Sequence, residues 1–556
     1  MPQFARIIGP AGTGKTTELL RLMDLAIEKD IHDPHLIGFV SFTRAARREA
    51  ASRAADRFGI KPAELENTGW FRTLHSVCYR VLGVGKEILA GSKADREWLS
   101  ESLQEPVEGK ASGLDQDLAD PFGGNETDAG RALVLWDVCR NRLESYETAW
   151  RRADEVEATT PDLSFCRSIV DRYEQAKRLD HRLDFTDLLS RFAGWYCTPD
   201  GAEKCTPDGE APDLPVWCFD EQQDTSALLH SVCQRLVEQP SVRFVYVAGD
   251  DAQSIYSWAG ASPHWFREGW PIAKSRILSQ SYRCPNEIMD CGENLLRECN
   301  DAEYYSDRSV RGSRAGGEID HDDFRAVGGM VDPRESWLLL ARTNFMASRM
   351  AKLLDDAEIP WVPARGNNNW TAPVRGQAIA AMVNLQAGAP IDGLEWQSIL
   401  KYVKSKSGHG VLLEHGTKTR FDDMTAEQAQ EQYSWVHLDE LTGMGATQAF
   451  IDGVRSGAWR EWIDYAERTA RAMKLYGKEA VDNPQIRIGT IHSAKGAEAD
   501  NVALLTSIPG QCYKAAQTPE GFDEETRVFY VGITRARQRL VILDEPKAKF
   551  RKRIEV

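Results

Sequence analysis

The sequence predicts an α/β fold: two parallel-sheet cores joined in one chain, interrupted by two mainly helical insertions. Three observations predict it. Apolar runs of strand length alternate with helical patterns in three blocks, at 4–83, at 214–300, and at 335–365 together with 485–545. The stretches 84–213 and 366–484 break that rhythm and read as helices and loops. At 556 residues the chain is too long for one hydrophobic core.

The strands are expected at 4–9, 36–41, 216–219, 244–248, 337–340, 486–490, 502–506 and 540–543. Residues 1–83 and 214–300 then make the first core, with 84–213 inserted into it. Residues 301–365 and 485–556 make the second, with a shorter insertion at 366–484. Loops rich in Gly, Asp or Pro are expected at 109–130 and 198–215. No internal repeat of fixed short period is present.

Composition is that of an ordinary globular protein, 42% hydrophobic and 27% charged. No apolar run is long enough to span a membrane and no signal peptide is visible, so the expected address is the cytosol. A net charge of −16 argues against coating nucleic acid by bulk electrostatics but leaves room for a local basic channel. The basic run Lys547, Lys549, Arg551, Lys552 and Arg553 reads as a solvated tail. The 11 cysteines are scattered and read as reduced thiols; Cys284, Cys291 and Cys299 suggest a metal or iron–sulfur site, but zinc sites usually show tighter spacing and ordinary thiols are the expected reading.

The chemistry begins at Gly9-Pro10-Ala11-Gly12-Thr13-Gly14-Lys15-Thr16-Thr17, a Walker A loop between a strand and a helix. Such a loop cradles phosphates with backbone amides and a helix N-terminus. Lys15 is expected on the β- and γ-phosphates and Thr16 on Mg²⁺. The strand at 216–219 ends in Asp220-Glu221, a Walker B pair. Asp220 is the expected Mg²⁺ ligand and Glu221 the general base. Hydrolysis also needs positive charge at the γ-phosphate, and Arg283 and Arg535 are the candidates, one beside each core.

The segment Gly249-Asp250-Asp251-Ala252-Gln253-Ser254-Ile255-Tyr256-Ser257-Trp258-Ala259-Gly260-Ala261 follows a buried strand. Gln253 sits where a phosphate or water can be sensed, and Tyr256 and Trp258 offer faces on which bases could stack. One short segment therefore has a nucleotide end and a candidate nucleic-acid end.

With these motifs in this order, the chain resembles a superfamily 1 helicase of the UvrD/Rep branch, in a compact form. The series continues with Val40-Ser41-Phe42-Thr43-Arg44, Thr73-Leu74-His75-Ser76, Ser281-Tyr282-Arg283, Thr490-Ile491-His492-Ser493-Ala494-Lys495-Gly496-Ala497-Glu498 and the segment 525–537. The resemblance implies two RecA-like cores closing over Mg-ATP and moving 3′→5′ on single-stranded DNA as a monomer. It implies that Tyr282 stacks on the base, Glu498 meets the ribose, and Arg283 with Arg535 contacts the γ-phosphate. It places Phe42, Thr43, His75, Tyr256, Trp258, Thr490 and His492 along the strand. A translocase that strips proteins from strands, or a binding protein switched by ATP, are the alternatives.

Three departures from the family pattern set further expectations. Only eight residues precede Gly9, so Gln3 is the one candidate for reading adenine, and loose base selectivity is expected. Ala259 stands where the family often has arginine, so a weaker link to the second core is expected. The chain ends soon after Arg537, leaving no room for a further C-terminal domain.

Overall fold

A computed structural model describes residues 2–555 apart from 32, 42–43, 86, 90, 108–126, 157–159, 271–273, 307, 366–372 and 409. The strands, in chain order, are β1 (Gln3–Ile8), β2 (Ile37–Val40), β3 (Trp70–Arg72), β4 (Trp195–Thr198), β5 (Gly201–Lys204), β6 (Val216–Phe219), β7 (Phe244–Gly249), β8 (Lys274–Ile277), β9 (Glu318–Asp323), β10 (Trp337–Ala341), β11 (Val362–Pro363), β12 (Lys406–Ser407), β13 (Gly410–Val411), β14 (Ile486–Thr490), β15 (Ala499–Leu505) and β16 (Ala536–Asp544).

Twelve of these strands form two six-stranded sheets, in the orders β3-β2-β6-β7-β1-β8 and β11-β14-β10-β15-β16-β9. Every pairing within them is parallel. This is the pair of RecA-like α/β cores, and the central strands show why. Val216–Phe219 and Trp337–Ala341 are buried at every position, as a strand covered on both faces by helices must be. Gly38 in β2 makes room for a neighbour: a Cβ there would come 2.2 Å from the Trp217 ring.

The strands that pattern reading misses are polar or short. β8 (Lys274–Ile277) is exposed along its length, and β9 (Glu318–Asp323) carries four acidic residues. Both lie at sheet edges, where no apolar period is required. The expected loop at 198–215 also contains structure. β4 and β5 form an antiparallel hairpin turned by Pro199-Asp200, with Thr198 paired to Gly201.

The helix Phe185–Ala193, within the stretch expected as an insertion, packs on the first sheet through Leu188, Leu189 and Phe192. The preceding helices gather their own cluster around Trp136, Tyr146 and Tyr173. Residues 378–470 build a separate core around Trp396, Phe450 and Trp459.

The basic C-terminal run is not a free tail. Ile554 is buried in the second core, and Lys552 pairs with Glu298 at 3.0 Å. The apolar Ile554 anchors the segment, which a count of charges does not register. Cys284, Cys291 and Cys299 are buried free thiols in the same core. Among the described residues, no helix is long and apolar enough to cross a membrane.

Candidate functional site

β1 runs into a loop and then into the helix Lys15–Asp30. The loop works because Gly12 and Gly14 take φ of +71° and +80°, the left-handed region that side chains resist. Gly9 is constrained by space instead: a Cβ would come 2.1 Å from Lys15 Cγ. Lys15 Nζ donates to Gly9 O at 2.7 Å, and Thr13 Oγ1 to Pro10 O at 2.8 Å. Thr17, on the first helical turn, is exposed.

β6 delivers the acidic pair to the same edge. Thr16 Oγ1 donates to Asp220 Oδ2 at 2.9 Å, so hydroxyl and carboxylate already adjoin. Burial and the neighbouring Glu221 push the Asp220 carboxyl up to about 7, against the pull of Thr16 and Lys15. Glu221 goes the other way: burial opposes its charge, but Lys15 and Lys495 outweigh it and lower the carboxyl. Two adjacent carboxyls with opposed shifts are the pattern of a site with divided roles. Glu221 also holds φ +55°, a strained backbone for a side-chain residue, where Gln223 Nε2 reaches its carboxylate at 2.5 Å.

These residues fit a magnesium polyphosphate. Asp220 is a buried carboxylate whose charge the protein only partly compensates, beside a hydroxyl of the right type. Arg535 is 1% exposed and is held by Val531 O at 2.9 Å and Gln253 Oε1 at 3.3 Å, both neutral. Burial and the nearby Arg283 push its guanidinium down to about 9. An anion placed between these arginines removes that penalty.

Ser281–Arg283, expected within the first core, lead into the helix Asn286–Leu296 that packs in the second core's cluster, so the edge of the second core meets the phosphate loop. Tyr282 N donates to Gly12 O at 2.8 Å, and Ser281 Oγ to Ala11 O at 2.8 Å. A Cβ on Gly12 would come 2.5 Å from Arg283 Cβ. Tyr282 is 71% exposed, leaving its ring open beside the loop. Arg283 is engaged by Glu498 Oε2 at 2.6 Å and Thr534 O at 3.2 Å. Glu498 is also paired with Arg537 at 2.7 Å, so its carboxylate lies between two arginines. Gln3 does not join them. It begins β1, at the opposite end of the strand from Gly9.

The segment 249–261 crosses between the cores. Gln253 Nε2 donates to Asp250 Oδ2 at 2.6 Å while its carbonyl oxygen accepts from Arg535. Arg308 binds Asp250 at 2.8 Å, and Arg527 Nε donates to Ser254 O at 3.0 Å. Ala259 packs against the second core, and its polar neighbours carry the links to that core.

The expected strand contacts divide. Phe42 and Thr43 lie outside the described residues. His75 and Trp258 are half-buried and line one continuous cleft of about 2000 Å³ with Lys15, Glu221, Arg283 and Arg535. Tyr256, Thr490 and His492 are buried, at 8%, 1% and 0% exposed. His492 Nε2 sits 3.1 Å from Ile255 O, and Tyr256 packs 6.0 Å from the His492 ring and under Lys495. Tyr256 and His492 thus join the two cores, with Tyr256 still at the cleft wall, while Thr490 bonds Ser493 within the second core.

Sequence reading assigned no role to Lys495, which bridges the cores by donating to Asp224 Oδ2 and Gln253 O. Its place in the 490–498 motif was the available signal. Arg142, Arg308 and Glu524 had none, because their partners are distant in sequence.

Comparison with known proteins gives two family matches. Residues 3–269 match the model of the UvrD/REP helicase N-terminal domain, and residues 468–545 that of the UvrD-like helicase C-terminal domain. The chain is 22% identical to the ATP-dependent DNA helicase Rep of Escherichia coli, covering 96% of this chain and 87% of that one. It is 22% identical to a probable DNA helicase II homolog of Mycoplasma genitalium, covering 96% and 81%. The match to the ATP-dependent DNA helicase PcrA of Staphylococcus epidermidis is 24% identical and covers 52% of this chain and 37% of the relative. Against PcrA the chain thus spans little more than a third of the relative's length. A phosphate loop and acidic pair in the half matched by the N-terminal model, and a buried arginine facing them from the half matched by the C-terminal model, place this chain in the UvrD/Rep helicase family.

Proposed function

We propose that this protein is an ATP-driven motor that moves 3′→5′ on single-stranded DNA and unwinds duplex at junctions, acting as a monomer. The observation that carries the reading is the segment 249–261. At Gln253 it touches Arg535 of the second core, and five residues later Trp258 lines the groove that continues from the nucleotide cleft.

Lys15 and the loop amides would hold the phosphates, and Thr16 with Asp220 would hold Mg²⁺. When bound, Mg²⁺ offsets charge on the phosphate oxygens. Glu221, its carboxyl kept ionised by Lys15 and Lys495, takes the proton of the attacking water. Arg535 and Arg283 stabilise charge developing on the γ-phosphate, which requires Arg283 to exchange Glu498 for phosphate. Tyr282 offers a stacking face for the base. Because Gln253 contacts Arg535 and its chain continues to Trp258, closing and opening of the cleft shift the strand grip. The insertion at 84–213 lines part of the cleft through Val134, Val138 and Ala149, and both accessory regions, 84–213 and 366–484, are proposed to engage duplex. The names of the relatives, DNA helicases, support DNA as the track.

The test is unwinding of duplexes bearing either a 3′ or a 5′ single-stranded tail, with strand-stimulated ATP hydrolysis measured alongside. Unwinding from the 3′ tail with stimulated hydrolysis is expected. Unwinding from the 5′ tail alone overturns the direction, and hydrolysis indifferent to strand overturns the motor.

A further inference from the structure

Three parts of the chain meet at one residue, Ser257. Ser257 opens the tight turn Ser257–Ala259 within the coupling segment. Its carbonyl accepts from Arg142 Nη2 at 2.6 Å. Its amide donates to Glu524 Oε1 at 3.2 Å, and its hydroxyl donates to the other oxygen of that carboxylate. Arg142 ends the helix Asp128–Arg142 of the first insertion. Glu524 lies on the helix Pro519–Ile533 of the second core. A cation and an anion from two different bodies thus grip the same residue of a third through charge-assisted hydrogen bonds.

Both grips are themselves anchored. Next to Arg142, Asn141 Oδ1 accepts from Ser226 Oγ at 3.1 Å, and Ser226 caps the helix Ala227–Val237 that follows the acidic pair. A Cβ on Gly260 would come 2.9 Å from Asn141 Cβ, so the turn lies close against the helix end. Arg140 is locked to Asp184 at 2.9 Å and Asp187 at 3.1 Å. On the other side, the helix of Glu524 also carries Arg527, which binds Ser254 O at 3.0 Å. Arg535 follows that helix and reaches Gln253 at 3.3 Å. A shift of the second core therefore pulls the coupling segment at three points, and Arg142 carries the displacement of Ser257 into the insertion.

We propose that Arg142 and Glu524 are positioning residues that transmit closure of the nucleotide cleft to the first insertion. The inference rests on the motor reading above. Neither side chain need touch the reacting phosphate. Their contribution is to make hydrolysis respond to the strand, as a coupling between two sites.

The experiment compares ATP turnover with and without a saturating thymidine oligonucleotide in the full chain and in Arg142→Ala, Arg142→Lys, Glu524→Ala and the double alanine variant. The alanine variants are expected to keep the strand-free turnover and the KM for ATP, and to lose about tenfold of the strand-stimulated kcat. Lysine at 142 should restore part of that loss, since it still offers a charged donor to the Ser257 carbonyl. The double variant should be no worse than the poorer single one, because both act on one link. Equal loss with and without strand, a raised KM, or additive effects would overturn the proposal. Lysine carries the test if alanine at 142 does not fold: a lysine variant that matches the full chain supports a charge contact, and one that loses strand-free turnover sinks it. If the unaltered chain shows no strand stimulation, the motor reading itself fails, and that outcome is read on a different protein from the variants.

Discussion

Glu221 holds φ +55° with its carboxyl lowered by Lys15 and Lys495, one residue after an Asp220 whose carboxyl is raised to about 7. The two acids differ because burial and the neighbouring Glu221 prevail at Asp220, while two lysines outweigh burial at Glu221. Glu221→Gln removes the proton acceptor and keeps the shape, so turnover should fall by about a hundredfold or more while ATP and strand binding persist. Single-turnover hydrolysis with equilibrium ATP binding checks this; a variant as fast as the unaltered protein sinks the base assignment. Among the motif residues, type and spacing were enough to find Lys15, Thr16, Asp220 and Glu221. They were not enough to show that the Tyr256 and His492 rings are buried against each other rather than open. The difference is an orientation, and orientation is set by the facing core.

At the scale of elements, the first insertion is tied to the first core by buried charge. Asp184 caps the helix Phe185–Ala193 and is fully buried between Arg140 and Lys177. Burial alone disfavours its charge, but Arg140 and Lys177 outweigh it and hold its carboxyl well below the ordinary range. Asp184→Ala leaves two buried cations short of a partner and should cost about 3–5 kcal/mol, read by chemical denaturation. A loss under about 1 kcal/mol would mean the cluster is already hydrated. The helix Ala227–Val237 carries a second buried group, His230, stacked 5.0 Å from Trp265. Burial pushes its pKa from 6.5 down to about 4. The unfolded chain therefore takes up a proton that the folded one refuses between those values. Stability from this group is full above pH 6.5 and is lost as pH falls toward about 4, on the order of 3 kcal/mol. His230→Phe should flatten that acid limb in urea titrations at stepped pH; an unchanged slope assigns it to other groups.

For the whole molecule, the decisive contact is core against core at the phosphate loop. Gly12 sits at φ +71° with room for no side chain, since a Cβ would meet Arg283 Cβ at 2.5 Å. Gly12→Ala strains the loop by about 1 kcal/mol and also wedges the cores apart. Strand-stimulated turnover should fall much further than the melting temperature does. If both fall in proportion, the residue matters to the loop alone.

The sequence alone determined the parallel α/β class, the central strands and the phosphate chemistry. Buried parallel strands must be continuously apolar, as Val216–Phe219 and Trp337–Ala341 are, and phosphate loops must carry glycine and lysine at fixed offsets. It missed the polar edge strands Lys274–Ile277 and Glu318–Asp323, which need no apolar period. Only the tertiary structure decided which side chains face the cleft and which seal it. Arg142, Ser257 and Glu524 lie more than a hundred residues apart, and Lys495 and Asp224 likewise. Contacts of that separation arise from how two sheets dock, and no local pattern encodes docking.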